Sequence, residues 1–153
     1  MRYYETMDQL AENRRARFDY EVSETIEAGI ELLGHEVKSV RAGQMNIAGS
    51  HALLRGNEAW LLNATIPPYQ PLNTPSDYDS KRTRRLLLKK DEIKSLIGKV
   101  KEKYSLIPLS VYSKNNRIKI ALGVGKPRKK HDKRELLKKR AIEGEMRRDM
   151  ADN

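Results

Sequence analysis

Apolar and polar positions first fall into register at residues 17–23. Phe18, Tyr20 and Val22 alternate there with Arg17, Asp19, Glu21 and Ser23, the period-two mark of a half-buried strand. Residues 1–16 carry only a weak apolar pattern. Ile26, Ile30 and Leu33 then recur at helical spacing through EAGIELLG, and Gly34 is placed to stop that short helix in a left-handed turn. EVKSVRAG reads as a further strand running into a turn at Gly43. HALLRGNEAWLLNATI reads as two strands joined through Gly56-Asn57-Glu58. The four prolines of IPPYQPLNTPSDYDS predict a long loop, of the kind often tied to function. Asp91 can cap a helix carrying Ile93, Leu96, Ile97 and Val100 on one face. A hairpin follows, with Ile107, Leu109 and Val111 on one arm, a turn at Asn115-Asn116, and Ile118, Ile120, Leu122 and Val124 on the other.

About six short strands with one well-formed and one short helix predict a mainly β chain with embedded helices, an OB-fold-like antiparallel β-barrel. Closure suits a small basic domain because it removes edge strands that would otherwise aggregate. Phe18, Tyr20 and Trp60 fall in strand patterns and are expected in the core. The barrel is expected over residues 1–125. From Lys126 the character changes: residues 126–153 hold 11 Lys and Arg against 6 Asp and Glu, half of the chain's net charge. So charged a tail buries too little to order itself and is expected to be disordered when free. Ile142, Met146 and Met150 recur every four residues, so a partner can fold it into an amphipathic helix.

Composition narrows the function. The 153 residues carry a formal net charge of +10, with a pI near 9.8, which puts polyanions first among partners, nucleic acid ahead of acidic membranes. The chain has no cysteine, which removes disulfides, thiolate metal sites and cysteine nucleophiles. No apolar run approaches a membrane span and the N-terminus lacks a signal-peptide stretch, so the reading is a soluble cytoplasmic protein. His35, His51 and His131 form no metal-binding pair, and Gly123-Val124-Gly125-Lys126 lacks the spacing of a phosphate-cradling loop. Neither a catalytic residue nor a metal or cofactor is expected.

Basic residues gather in three places: Arg14, Arg15 and Arg17; Lys81, Arg82, Arg84, Arg85, Lys89 and Lys90 around Leu86-Leu87-Leu88; and the tail from GKPRKKHDKRE. Each alone is as readily a solvated face, but three in so small a chain favour RNA. With one Trp, one Phe and seven Tyr, there is little to stack single strands on, which favours folded RNA read by backbone and shape. Glu27 is either a helix-start acid favoured by the macrodipole or, on a phosphate-binding face, an acceptor for a base amino group or a 2′-hydroxyl. By residue chemistry alone the first reading is ahead. A structural ribosomal protein, a phosphodiester-processing enzyme and a peripheral membrane protein remain as rivals.

The runs NRRARFDYEV, EAGIELLGHEVKSVRAG, NIAGSHALL, RTRRLLLKKDEI and GVGKPRKKHDKRE, in this order over about residues 10–137, resemble the SmpB family. The resemblance implies an OB-fold barrel that binds the tRNA-like domain of transfer-messenger RNA and promotes its passage into stalled ribosomes for trans-translation. The partners it implies are transfer-messenger RNA, the small-subunit decoding centre and messenger channel of the ribosome, and elongation factor Tu. It assigns RNA contacts to Asn13, Glu27, Leu87 and Lys119, which reverses the reading of Glu27. Arg14, Arg15 and Arg17 join them as RNA-binding cations, and Arg82, Arg84 and Arg85 as backbone contacts. Lys129, Lys130, His131, Asp132, Lys133 and Arg134 match the tail segment that meets the ribosome, where the tail would be helical. Gly49, His51 and Ser80 depart from the family pattern, which bears on local turn geometry there.

Overall fold

The computed structural model describes residues 7–151. Seven strands, β1 (Met7–Glu12), β2 (Tyr20–Ile30), β3 (His51–Arg55), β4 (Glu58–Leu62), β5 (Arg84–Leu87), β6 (Ser105–Lys114) and β7 (Arg117–Pro127), form one antiparallel sheet. Four helices accompany them: α1 (Ala16–Asp19), α2 (Gly34–Arg41), α3 (Lys90–Lys101) and α4 (Lys130–Ala151). The strand order β1-β6-β3-β4-β5-β2-β7 closes through pairing of β6 with β7, so six strands make a ring and β1 lies on the free half of the β6 edge. This is the antiparallel barrel the patterning predicts, with β1 and β5 as strands it did not.

Two expected elements exchange places. EAGI continues β2 instead of starting a helix, and Gly34 opens α2 instead of ending one. A spacing of four fits both periods, so Ile26 and Ile30 could not decide between them; Ala28 does, because it is buried between them on the same strand face. Leu33, the third member of the expected helical stripe, is 46% exposed. EVKSVRAG is helical for the converse reason: Val37 and Val40, three apart, both pack on the barrel core. Glu36 also starts that helix, accepting the Leu33 N–H at 2.8 Å. In α3 the same device replaces the expected Asp91 cap, since Lys89 N–H donates to Glu92 at 2.9 Å.

Inside the barrel, Leu61, Ile66, Val111, Ile120 and Leu122 are almost wholly buried. α3 packs Leu96 onto Leu106 and Val124. A smaller cluster of Ala16, Ile107 and Leu109, with Tyr20 and Val22 against it, holds α1 on the outside of β6 and β2. Phe18 therefore sits on α1, not on a strand. Phe18, Tyr20 and Trp60 are all half-buried, where the core was expected.

The long loop is as expected and contains a 3-10 turn at Pro71–Asn73. It is tied down by a buried network. Glu36, fully buried, receives hydrogen bonds from Arg82, from Arg84 Nε at 2.9 Å and from the Tyr78 hydroxyl at 2.9 Å. Arg84 donates further to the carbonyls of Ala64, Arg82 and Ser80, each at 3.0 Å. Burial alone would raise the Glu36 pKa, but these donors and the Leu33 N–H hold it at about 2.

Candidate nucleic-acid interface

The register of four strands builds the surface. Tyr112 on β6 lies opposite Lys119 on β7, Lys119 opposite Gly29 on β2, and Gly29 opposite Leu87 on β5. These residues occupy the outer face, because their neighbours Val111, Ile120, Ala28 and Leu86 point into the core. Gly29 matters by what it lacks: a Cβ there would stand 3.2 Å from Leu87 Cβ. The bare backbone lets Leu87 settle beside it while remaining 49% exposed. A groove beside this row is lined by Glu27, Gly29, Arg85, Leu87, Lys89 and Lys119.

Glu27, exposed two residues before Gly29, is held from across β7. The Tyr112 hydroxyl donates to its Oε2 at 2.5 Å, and Lys114 Nζ reaches the same oxygen at 3.3 Å. The Tyr112 hydrogen bond, against some desolvation and helped by Lys114 and Lys119, lowers the Glu27 pKa. Burial together with this carboxylate raises that of Tyr112. The surface thus pairs a fixed carboxylate with cations at Lys114 and Lys119.

Other predicted site residues divide. Arg14 and Arg17 are exposed and Arg15 makes an exposed ion pair with Asp19 at 3.6 Å. Asn13 is 8% exposed. Its side-chain amide donates to the Pro108 carbonyl at 3.1 Å and its N–H to that of Leu109 at 2.8 Å. It clasps the β6 bulge, and its carbonyl accepts the Ala16 N–H at 3.2 Å, which orients α1. Arg85 is exposed and pairs with Glu58 at 3.4 Å. Arg82 is part-exposed but its guanidinium is committed to Glu36. Arg84 corrects the sequence reading: it is fully buried, so it cannot touch RNA and serves the fold.

In the tail, Lys129, Lys130, His131, Asp132 and Arg134 are exposed, whereas Lys133 turns back to Asp19 at 3.1 Å. The Phe18 ring lies under Arg15, Lys133 and Arg140 at 5.5, 5.7 and 5.8 Å. Arg128 N–H donates to the Asp19 carbonyl at 2.8 Å. β7 therefore runs two residues past the expected boundary at 125, and the tail root is seated on α1. Among the described residues, no helix is long and apolar enough to cross a membrane.

The family model for SmpB protein matches residues 10–152. The chain belongs to the SmpB family. It is 51% identical over 142 residues to the SsrA-binding protein of Synechocystis sp. and 49% identical to that of Thermosynechococcus vestitus. The alignments span 92% of this chain and 92% and 93% of those relatives. A solved chain described as "tmRNA-SmpB: a journey to the center of the bacterial ribosome" matches with a TM-score of 0.64 and 45% identity, over 78% of this chain and 84% of that one.

Three residues on this SmpB surface had no signal in the sequence. Tyr112 and Lys114 read as strand residues of a hairpin, and Gly29 as part of a helix. Only the register brings Tyr112 to a glutamate 85 positions away. Of the departures from the SmpB pattern, Gly49 takes φ of 74°, a conformation glycine adopts freely. Ser80 contributes its carbonyl to Ile66 and Arg84.

Proposed function

We propose that this chain binds the tRNA-like domain of transfer-messenger RNA and brings it into stalled ribosomes for trans-translation. The observation that carries the reading is the likeness, at 45% identity and a TM-score of 0.64, to an SmpB chain described with tmRNA and the ribosome. The work is done by binding and not by catalysis, in the cytoplasm. Lys119, Leu87, Arg85 and the Glu27 carboxylate form the face that meets the RNA, with Arg14, Arg15 and Arg17 supplying phosphate contacts from α1. Arg82 contributes at its exposed edge, and Asn13 acts through the placement of α1. Elongation factor Tu delivers the charged RNA with the protein bound.

The tail is the second part. Ile142 and Met146 are 54% and 61% exposed on α4, so little packing holds the helix beyond Arg140. The tail, expected to be disordered when free, is helical here to Ala151, and its exposed apolar side chains dock in the vacant messenger channel. Lys129, Lys130, His131, Asp132, Lys133 and Arg134 then meet the decoding centre.

A gel-shift titration on the isolated tRNA-like domain, with excess bulk tRNA at physiological salt, tests the reading. The complex is expected to survive the competitor. Ready displacement by bulk tRNA would leave only general attraction to phosphate and return the lead to a ribosomal protein. The Glu27→Ala variant sharpens the test: loss of a base or hydroxyl contact costs on the order of 1–3 kcal/mol, whereas relief of repulsion from phosphates makes binding tighter.

A further inference from the structure

Both donors on Glu27 take the same oxygen. Tyr112 donates to Oε2 at 2.5 Å and Lys114 to Oε2 at 3.3 Å, while among the described residues no hydrogen bond engages Oε1. The carboxylate is thus pinned by one oxygen at the edge of the groove that Leu87 and Lys119 also line. An exposed glutamate on a strand ordinarily samples several rotamers, each with its oxygens in a different place. A charge-assisted hydrogen bond from a ring that is 8% exposed, and so has little freedom of its own, removes that sampling.

We infer that Tyr112 is a positioning residue for RNA recognition: its hydroxyl holds Glu27 through Oε2 and thereby presents Oε1 as a fixed, ionised acceptor for a nucleobase amino group or a ribose 2′-hydroxyl. The inference rests on the RNA-binding reading of this face. Its chemistry selects the ligand. A carboxylate oxygen repels phosphate, so Oε1 is useful only to a donor, and bases and 2′-hydroxyls are the donors that RNA exposes. Tyr112 does not itself meet the RNA; its hydroxyl is spent on Glu27. The lowered pKa of Glu27 fits this arrangement, since the Tyr112 hydrogen bond is its largest cause.

The charged groups around Glu27 are Lys114 from β6, Lys119 from β7, Arg85 from β5, Glu58 from β4, and Lys89 and Glu92 at the start of α3. Cations prevail among them, so the carboxylate stays ionised at neutral pH without Tyr112. What the hydroxyl adds is placement, and the tests separate placement from charge.

Tyr112→Phe keeps the ring and removes the donor. Its affinity for the isolated tRNA-like domain is expected to fall on the order of tenfold, while in a Glu27→Ala background the same change is expected to alter affinity less than about twofold. An equal loss in both backgrounds would mean that Tyr112 acts through the fold or on the RNA directly, and would overturn the inference. A full-strength Tyr112→Phe complex beside a weakened Glu27→Ala complex would overturn it too, leaving the RNA-binding face intact. If Glu27→Ala binds normally, the reading of the face itself fails, and this inference with it. A second readout needs no RNA. The Glu27 carboxyl carbon, followed by NMR in the free full-length protein, should titrate below the ordinary 4.5, and its midpoint should rise in Tyr112→Phe. An ordinary midpoint in the unmodified protein would show that the hydrogen bond is not formed.

Discussion

Replacing Glu36 with glutamine keeps the side chain's shape and removes one buried charge. In the folded chain that carboxylate is wholly buried and accepts from Arg82, Arg84, Tyr78 and the Leu33 N–H. The donors hold its pKa at about 2, against 4.5 in an open chain. A folded-state pKa below the unfolded one stabilises the protein above pH 4.5, and the contribution fades as pH falls toward 2. The difference of two and a half units corresponds to about 3 kcal/mol at pH 7 and about 1 kcal/mol at pH 3. An independent route agrees: the fully buried Arg84 loses its counter-charge, and breaking a buried pair on one side costs about 3–5 kcal/mol. Glu36→Gln should therefore unfold about 3 kcal/mol more easily at neutral pH, lowering the melting temperature by about 10 °C. Urea unfolding followed by Trp60, the chain's single tryptophan, measures this at several pH values. The gap between the two proteins should shrink by more than half between pH 7 and pH 3. A gap under about 1 kcal/mol at pH 7, or one that does not change with pH, would refute the assignment of this network to stability.

Three further outcomes are expected. Ending the chain after Lys129 keeps β7 and the Arg128 contact to Asp19, so affinity for the tRNA-like domain should be preserved while peptide tagging on stalled ribosomes is abolished; collapse of RNA affinity would count against a two-part protein. Gly125→Ala places a Cβ 2.5 Å from the Glu21 carbonyl oxygen. Backbone atoms cannot move aside cheaply, so unfolding should become easier by about 2 kcal/mol or more. Phe18→Leu removes the ring beneath Lys133 and Arg140, a loss of about 1 kcal/mol; hydrogen exchange should then speed about fivefold in the first turns of α4 and not in β7.

The patterning of the chain carried the barrel but not its wiring. Hairpins declared themselves because their turns are chemically distinctive: Asn115 and Asn116 both take positive φ, as a tight two-residue turn between twisted strands demands. β5 did not, because its inward positions are Arg84 and Leu86, and a buried arginine breaks the apolar alternation that marks a strand. β1 was equally silent, with Asp8, Gln9 and Glu12 among its six residues and a ladder to β6 alone. EAGI was ambiguous because apolar residues four apart satisfy both periods, and burial of the small Ala28 is visible only once β2 has neighbours; EVKSVRAG offers only Val37 and Val40, three apart, too few positions to declare a helix.

Charge was legible in amount and not in place. Arg82, Arg84 and Arg85 stand as equals in RTRRLLL, yet the first is bound to Glu36 at the surface edge, the second is sealed in the core and the third is free for a ligand apart from an exposed Glu58. Strand alternation separates Arg84 from Arg85, since on β5 odd and even positions face opposite ways, while Arg82 precedes the strand. The same rule assembles the row proposed to meet RNA. Lys119 stands opposite Tyr112 because the turn at Asn115-Asn116 pairs Lys114 with Arg117, and the β7–β2 and β2–β5 ladders extend the row to Gly29 and Leu87. A slip of one residue would point Lys119 into the barrel and Ile118 outward. The two asparagines, at the far end of the hairpin from Leu122 and Val124, thus determine which side of β7 the proposed site is on.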